Sequence, residues 1–136
     1  MTSFATRAAS SLDSPRAKRM LRPLLGGYAL LVAVVTLWPA LKVPIPVHRS
    51  DLIAHMTSFG LLGLLTTAAG LFGPAFSRRN MLLSGLIAGV FAAGDEALQA
   101  IPLLNRTCAW DDMAANVMGI LAAMLVMGWW GRMAGR

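Results

Sequence analysis

The sequence predicts an all-α fold, a four-helix transmembrane bundle with both termini in the cytoplasm. Hydrophobic residues make up 57% of the 136 residues, whereas charged residues make up 13%. Soluble domains carry about 25% charged residues, because they must present a polar surface to water. A chain with this composition is therefore expected to lie in a lipid membrane. Its length is typical of a single domain.

Four apolar segments follow one another along the chain. A helix needs about 20 residues to cross a hydrocarbon core of about 30 Å, and each segment approaches that length. Helices satisfy their own backbone hydrogen bonds in lipid, whereas open strands do not. The predicted membrane-spanning helices cover residues 23–41, 52–76, 81–104 and 113–131. We therefore expect residues 23–136 to form one four-helix transmembrane domain.

Residues 1–22 precede these segments and are largely polar and basic. A cleaved signal peptide is the alternative interpretation. The apolar run that follows is long, however, and no small-residue cleavage site follows it. We expect residues 1–22 to form a mobile basic tail that lies against anionic lipid on the cytoplasmic side.

The distribution of lysine and arginine predicts the orientation. The N-terminal tail carries five of these residues, residues 77–80 carry two and the C-terminus carries two, which places nine on one side. The other side carries Lys42, Arg49 and Arg106. Because cytoplasmic loops are enriched in basic residues, the nine are assigned to the cytoplasm of a multi-pass protein. We therefore attribute the net charge of +6 to membrane topology. The sequence has no basic face with interleaved aromatic residues, which a nucleic-acid-binding protein would be expected to show.

Small residues recur at four-residue spacing on the third and fourth segments. Gly85 and Gly89 belong to one such stripe, and Gly119 lies in the other. Small residues allow helix backbones to approach closely inside a membrane. The stripes predict helix packing, either within one chain or between chains, so a homo-oligomer and a larger membrane complex both remain open.

Polar residues gather near the outer ends of the second, third and fourth segments. Asp51 and His55, for example, are four residues apart and share one face of a helix. The helical rise brings all three sets to a similar depth, where ionisable groups normally face the bundle interior. We predict one outward-facing pocket, from which Asp95 and Asp111 are left out. Its members are Asp51, His55, Glu96, Gln99, Arg106, Asp112 and Asn116.

Three interpretations of this pocket are open. It binds a lipid-linked ligand, with Arg106 engaging a phosphate and Glu96 orienting the ligand or accepting a proton. Alternatively, the polar groups only hold helices together and cap their ends. A metal site from His55, Glu96 and Asp112 is the weakest of the three, because the other histidine lies in a proline-rich loop. We expect no metal and no cofactor, and the residues do not decide whether the chain is an enzyme.

Two stretches of the chain resemble signatures of the VanZ-like family. Asp51-Leu52-Ile53-Ala54-His55 resembles its first motif, although Leu52 stands where the family often has lysine. The second signature is similar to Glu96-Ala97-Leu98-Gln99, followed by Arg106, Asp112, Asn116 and Gly119. The similarity covers about residues 24–131 of this chain.

The resemblance implies a small bacterial inner-membrane protein with about four helices. The family's namesake is associated with resistance to the glycopeptide teicoplanin, and the family has no settled reaction. We accordingly expect an envelope protein that binds or modifies a lipid-linked ligand and influences glycopeptide sensitivity, with membrane lipids as partners. A small structural or accessory subunit of a larger membrane complex is the alternative. A transporter ranks below both, because no inverted repeat or broken helix is evident.

Overall fold

The computed structural model describes residues 4–38, 50–104 and 109–135. Within these ranges the chain is helical and contains no strand, which confirms the predicted all-α fold. A short 3-10 helix, Pro102–Leu104, follows the fourth of five α-helices. These are α1 (Phe4–Leu12), α2 (Pro15–Leu37), α3 (Ser50–Ala68), α4 (Arg78–Gln99) and α5 (Trp110–Met133).

Three of these helices, α2, α4 and α5, are long and apolar enough to cross a membrane. This supports a membrane protein. The 19-residue α3 is not among the three, because polar residues such as Asp51 and His55 lower its mean hydropathy.

The α2 helix begins at Pro15, eight residues before the predicted start of the first segment. The side-chain oxygen of Ser14 accepts a hydrogen bond from the Ala17 amide at 3.2 Å and caps the helix. Proline is favoured in the first helical turn, where its missing N–H is not needed. The boundary assigned after residue 22 therefore falls inside a continuous helix.

Residues of the predicted tail also contact the rest of the molecule. The Asp13 carboxylate accepts a hydrogen bond from the Ala75 amide at 2.7 Å and lies 3.6 Å from the Lys18 ammonium. Ala9 of α1 is fully buried against a cluster that includes Phe76 and Met127. Within the described residues, the segment that precedes α2 is therefore helical and packed.

The second predicted segment extends to residue 76, but α3 ends at Ala68. Gly70 adopts a φ of 57°, a left-handed conformation that stops a helix and that glycine adopts without a Cβ clash. Arg22 of α2 donates hydrogen bonds to the carbonyl oxygens of Ala69 and Gly70, at 3.5 and 3.3 Å. The residues between α3 and α4 thus form a turn that α2 covers.

Asn80 organises this turn from inside the protein, where its side chain is fully buried. Its amide nitrogen donates to the carbonyls of Thr67 and Ala75 at 2.9 and 3.1 Å. Its side-chain oxygen accepts from the Phe72 amide at 3.1 Å. One side chain therefore bonds to three backbone groups of the turn, of which the Thr67 carbonyl also accepts from the Gly70 amide at 3.2 Å.

Replacing Asn80 with alanine should destabilise the protein by roughly 2 kcal/mol, because buried backbone groups lose their partners. Unfolding of the purified protein in mixed micelles with increasing dodecyl sulfate measures this change. Arg79→Ala, which alters an exposed neighbour on the same helix, serves as the control. Equal unfolding midpoints for the two variants would contradict the role given to Asn80.

The bundle core lies where α3 packs along α5, which is the most extensive helix pairing in the described chain. Phe59, Leu62 and Ile120 are buried here with small residues of α4. The backbones come closest at Gly60 and Gly119, where a Cβ added to Gly60 would lie 3.2 Å from the Gly119 carbonyl oxygen. The predicted packing role of Gly119 thus corresponds to a contact within one chain.

Helices α2 to α5 alternate in direction, and the residues at the two ends of the molecule differ in charge. One end gathers the beginnings of α2 and α4 with the end of α5. Its exposed arginines include Arg16, Arg19, Arg78, Arg79 and Arg132, and we call it the basic end. The opposite end gathers the ends of α2 and α4 with the beginnings of α3 and α5, and it carries Asp51, Asp95, Glu96, Asp111 and Asp112. We call it the acidic end.

Candidate functional site

Four helices contribute side chains to a group of polar residues at the acidic end. They come from the last turn of α2, the second turn of α3, the last turns of α4 and the second turn of α5. We refer to them as the polar cluster, which consists of Thr36, His55, Asp95, Glu96, Gln99 and Asn116.

His55 and Asn116 join α3 to α5 within this cluster. The Nδ1 atom of His55 lies 3.0 Å from Oδ1 of Asn116, and both residues are buried. The imidazole ring also stacks in parallel over the Phe59 ring, with centroids 6.4 Å apart. The apolar stack and the hydrogen bond together fix the orientation of the imidazole.

Asp95 joins α4 to α2. One carboxylate oxygen accepts from the Thr36 hydroxyl at 2.6 Å, and the other accepts from the Gln99 side-chain amide at 3.1 Å. Asp95 is only 4% exposed. The expectation that Asp95 lies outside the group is therefore wrong, because it bonds directly to a predicted member, Gln99. Thr36 is a member that the sequence analysis missed.

Glu96 is the most informative residue of the cluster. Its Oε1 atom accepts a hydrogen bond from the Ala109 amide at 2.8 Å, immediately before α5. It also lies close enough to His55, Asp95 and Asp112 to interact with them electrostatically. Its Oε2 atom, by contrast, is buried and has no hydrogen-bond partner among the described residues.

A second buried polar atom, Nδ2 of Asn116, is in the same situation. Glu96 is 2% exposed and Asn116 is 0% exposed. Leaving a buried polar atom without a partner costs about 1–3 kcal/mol, and more for a charged group. The polar cluster therefore presents one acceptor and one donor that the described protein atoms do not satisfy.

The remaining predicted members are placed differently. Asp51 lies in the first turn of α3 and is exposed. Asp112 is half-buried in the first turn of α5, within electrostatic range of Glu96. Arg106 lies outside the described residues. The structure thus brings His55, Glu96, Gln99 and Asn116 to one buried group, with Asp112 at its edge.

The types of side chain in the polar cluster indicate which ligands it can bind. Among the residues that the structure describes, no three His, Cys, Asp or Glu side chains are arranged to hold a metal ion. A carboxylate oxygen and an amide nitrogen that both lack partners within the described ranges can bind a hydroxyl, amine or similar polar group of a ligand. The arrangement is therefore suited to polar recognition at the edge of a membrane.

Comparison with known proteins gives no relative of this chain. No protein-family model, no curated protein and no solved structure matches it. The likeness to VanZ-like proteins accordingly rests on the two sequence motifs, and the site must be interpreted from its own geometry.

Proposed function

We propose that this chain is a VanZ-like protein of the bacterial inner membrane, whose polar cluster binds the polar part of a lipid-linked envelope ligand. The observation that carries the proposal is a pair of buried atoms, Glu96 Oε2 and Asn116 Nδ2, that have no hydrogen-bond partner in the described part of the chain. A ligand that donates to the first and accepts from the second removes both desolvation costs. Glycopeptide sensitivity would change if the bound ligand is needed where these antibiotics act.

The position of the cluster supports a ligand that is itself held in the membrane. At 1.5 Å per residue, Glu96 lies about 27 Å along α4 from Arg78, near one face of a hydrocarbon core of about 30 Å. Headgroups of lipids lie at this depth. A lipid-linked molecule reaches the cluster by lateral diffusion, with its chain among the acyl chains.

The proposal includes four membrane spans, with α3 as the fourth and with both termini in the cytoplasm. The contacts of α3, which is antiparallel to α2 and parallel to α5, favour this, because α3 runs between the same two ends as its neighbours. Of the polar residues that lower its hydropathy, His55, Thr66 and Thr67 are buried inside the bundle, whereas Asp51 is exposed in the first turn. The arginines of the basic end favour the cytoplasm for that end.

Cysteine labelling tests the proposed orientation. In a chain whose single cysteine, Cys108, is replaced by serine, Trp110→Cys should react with a membrane-impermeant maleimide added to spheroplasts. Arg79→Cys should react only after the membrane is permeabilised. Both positions are exposed, so that a difference reports sidedness. The opposite pattern would reject the orientation.

Ligand binding and structural support are separated by single replacements at the acidic end. Glu96→Ala, Arg106→Ala and Asp112→Ala are compared for membrane abundance and for sensitivity to envelope-active antibiotics. We expect normal abundance with altered sensitivity. A parallel loss of abundance in all three variants would instead show that these residues only hold the bundle together.

A second candidate function, an accessory subunit of a larger membrane complex, is favoured by one observation. A Cβ added to Gly89 would meet no atom within 4 Å, so this part of the small-residue stripe is not used inside the chain. A partner helix can approach α4 there. Co-purification with a larger assembly in a fixed ratio, lost in Gly89→Leu, would support this candidate.

A further inference from the structure

A groove on the surface of the bundle runs between α4 and α5, away from the polar cluster. It encloses a volume of about 320 Å³, within the range of small-molecule sites. Gly85 and Gly89 form its floor on α4, and Val117, Leu121 and Met124 line it from α5. All the lining residues are apolar or glycine. The groove exists because the two glycines place no side chain between the helices.

The location and length of this groove indicate which kind of molecule fits it. Both helices are long and apolar enough to cross a membrane, so their outer surfaces face hydrocarbon. From Met81 to Gly89 the groove extends about 12 Å along α4, close to the depth of one leaflet in a core of about 30 Å. An acyl chain of a lipid in that leaflet matches both its length and its apolar lining.

Positive charge at the end of the groove nearest the basic end favours lipids with an anionic headgroup. Arg78, Leu82, Gly85 and Gly89 follow at spacings of three and four residues and so share one face of α4. Arg78 therefore lies above the groove at the basic end. Arg79 is beside it, and Arg132 is in the last turn of α5. The first turn of α4 also presents the positive end of a helix dipole, which attracts phosphate.

We infer that the groove and these arginines form a binding site for one anionic phospholipid, with an acyl chain between α4 and α5 and the phosphate at Arg78. This site goes beyond the proposed function, since its phosphate end, at Arg78, lies at the opposite end of the molecule from the polar cluster. Its occupant fills a gap on the α4–α5 face and adds contacts between α4 and α5, of which α5 packs mainly against α3.

Photo-crosslinking of the full chain tests the inference. The protein is reconstituted in phosphatidylcholine vesicles that contain a minor fraction of phosphatidylglycerol with a diazirine in its acyl chain. After illumination, peptide mass spectrometry should map the adducts to Leu82, Val117 and Leu121. The exposed residues Leu86 and Leu125 should carry several-fold fewer adducts.

Two variants with matched controls complete the test. Gly89→Leu fills the groove and should reduce its labelling several-fold. Gly94→Leu should leave it unchanged, because Gly94 is exposed, a Cβ there would meet no described atom within 4 Å, and the residue does not line the groove. Arg78→Gln should reduce the preference for phosphatidylglycerol over a phosphatidylcholine probe by roughly fivefold, equivalent to about 1 kcal/mol. Exposed Arg7→Gln on α1 should not.

Three results would overturn the inference. They are equal labelling of the Gly89→Leu and Gly94→Leu variants, equal labelling by the two lipid probes, and disulfide cross-linking of two chains through Gly89→Cys, which would show that a second copy covers the groove. None of them bears on Glu96, so the proposed function is tested separately.

Discussion

Gly119→Val is expected to force α3 and α5 apart and to lower the free energy of unfolding by about 3 kcal/mol or more. A Cβ at residue 119 would overlap the carbonyl oxygen of Met56 and would lie 2.8 Å from the Gly60 amide nitrogen. Both atoms belong to backbone, which cannot move aside as a flexible side chain does. The helix pair that forms the core would therefore have to separate.

Gly94→Val provides the matched control, because it makes the same exchange on a helix surface where no atom lies within 4 Å. Unfolding in dodecyl sulfate, followed by tryptophan fluorescence, measures both variants. The expected result is a large shift for Gly119→Val and little change for Gly94→Val. Similar midpoints would mean that α3 and α5 do not approach as closely as the structure indicates.

Glu96→Gln is expected to weaken retention of the proposed lipid-linked ligand by about 10- to 100-fold, which corresponds to losing one hydrogen bond to a charged group. The glutamine has nearly the same shape, and its side-chain oxygen can still accept from the Ala109 amide. The oxygen that has no partner among the described residues, however, becomes an amide nitrogen, which donates where the carboxylate accepted. The fold is retained, because no space is created.

Native mass spectrometry of protein incubated with an envelope lipid extract measures this retention. Asp111→Asn is the control, since it removes one negative charge from an exposed position outside the polar cluster. We expect normal unfolding midpoints for both variants and loss of bound lipid only for Glu96→Gln. Equal lipid retention in the two variants would remove Glu96 from the proposed site.

The helical fold and the level of the polar residues are predictable from the sequence, because hydropathy and helical rise are local properties. Element ends are less so. The early start of α2 is indicated by Ser14-Pro15, which is a helix-capping signal. This signal lies in a polar, basic stretch, so a boundary based on hydropathy falls after it. The early end of α3 depends on the left-handed Gly70, which lies within an otherwise continuous apolar run.

The composition of the polar cluster depends on which helices are neighbours and which faces they turn toward each other. These tertiary contacts cannot be predicted from a single sequence by hydropathy and spacing. Adjacent helical residues point about 100° apart, which suggests that only one of Asp95 and Glu96 is inside. Both are buried because different helices surround the end of α4: Thr36 of α2 meets Asp95, and the start of α5 meets Glu96. Thr36 gives no signal, since threonine in an apolar helix commonly bonds its own backbone, as it also does here with Val32.

The most direct measurement is an experimental structure of the full chain purified with its native lipids in a nanodisc. The account predicts non-protein density within hydrogen-bond distance of Glu96 Oε2 and Asn116 Nδ2, continuous with a lipid chain outside the bundle. If a water molecule satisfies both atoms instead, or if side chains of the protein itself do so, for example with Arg106 donating to Glu96 Oε2, the polar cluster is a structural element and the proposed ligand site is wrong.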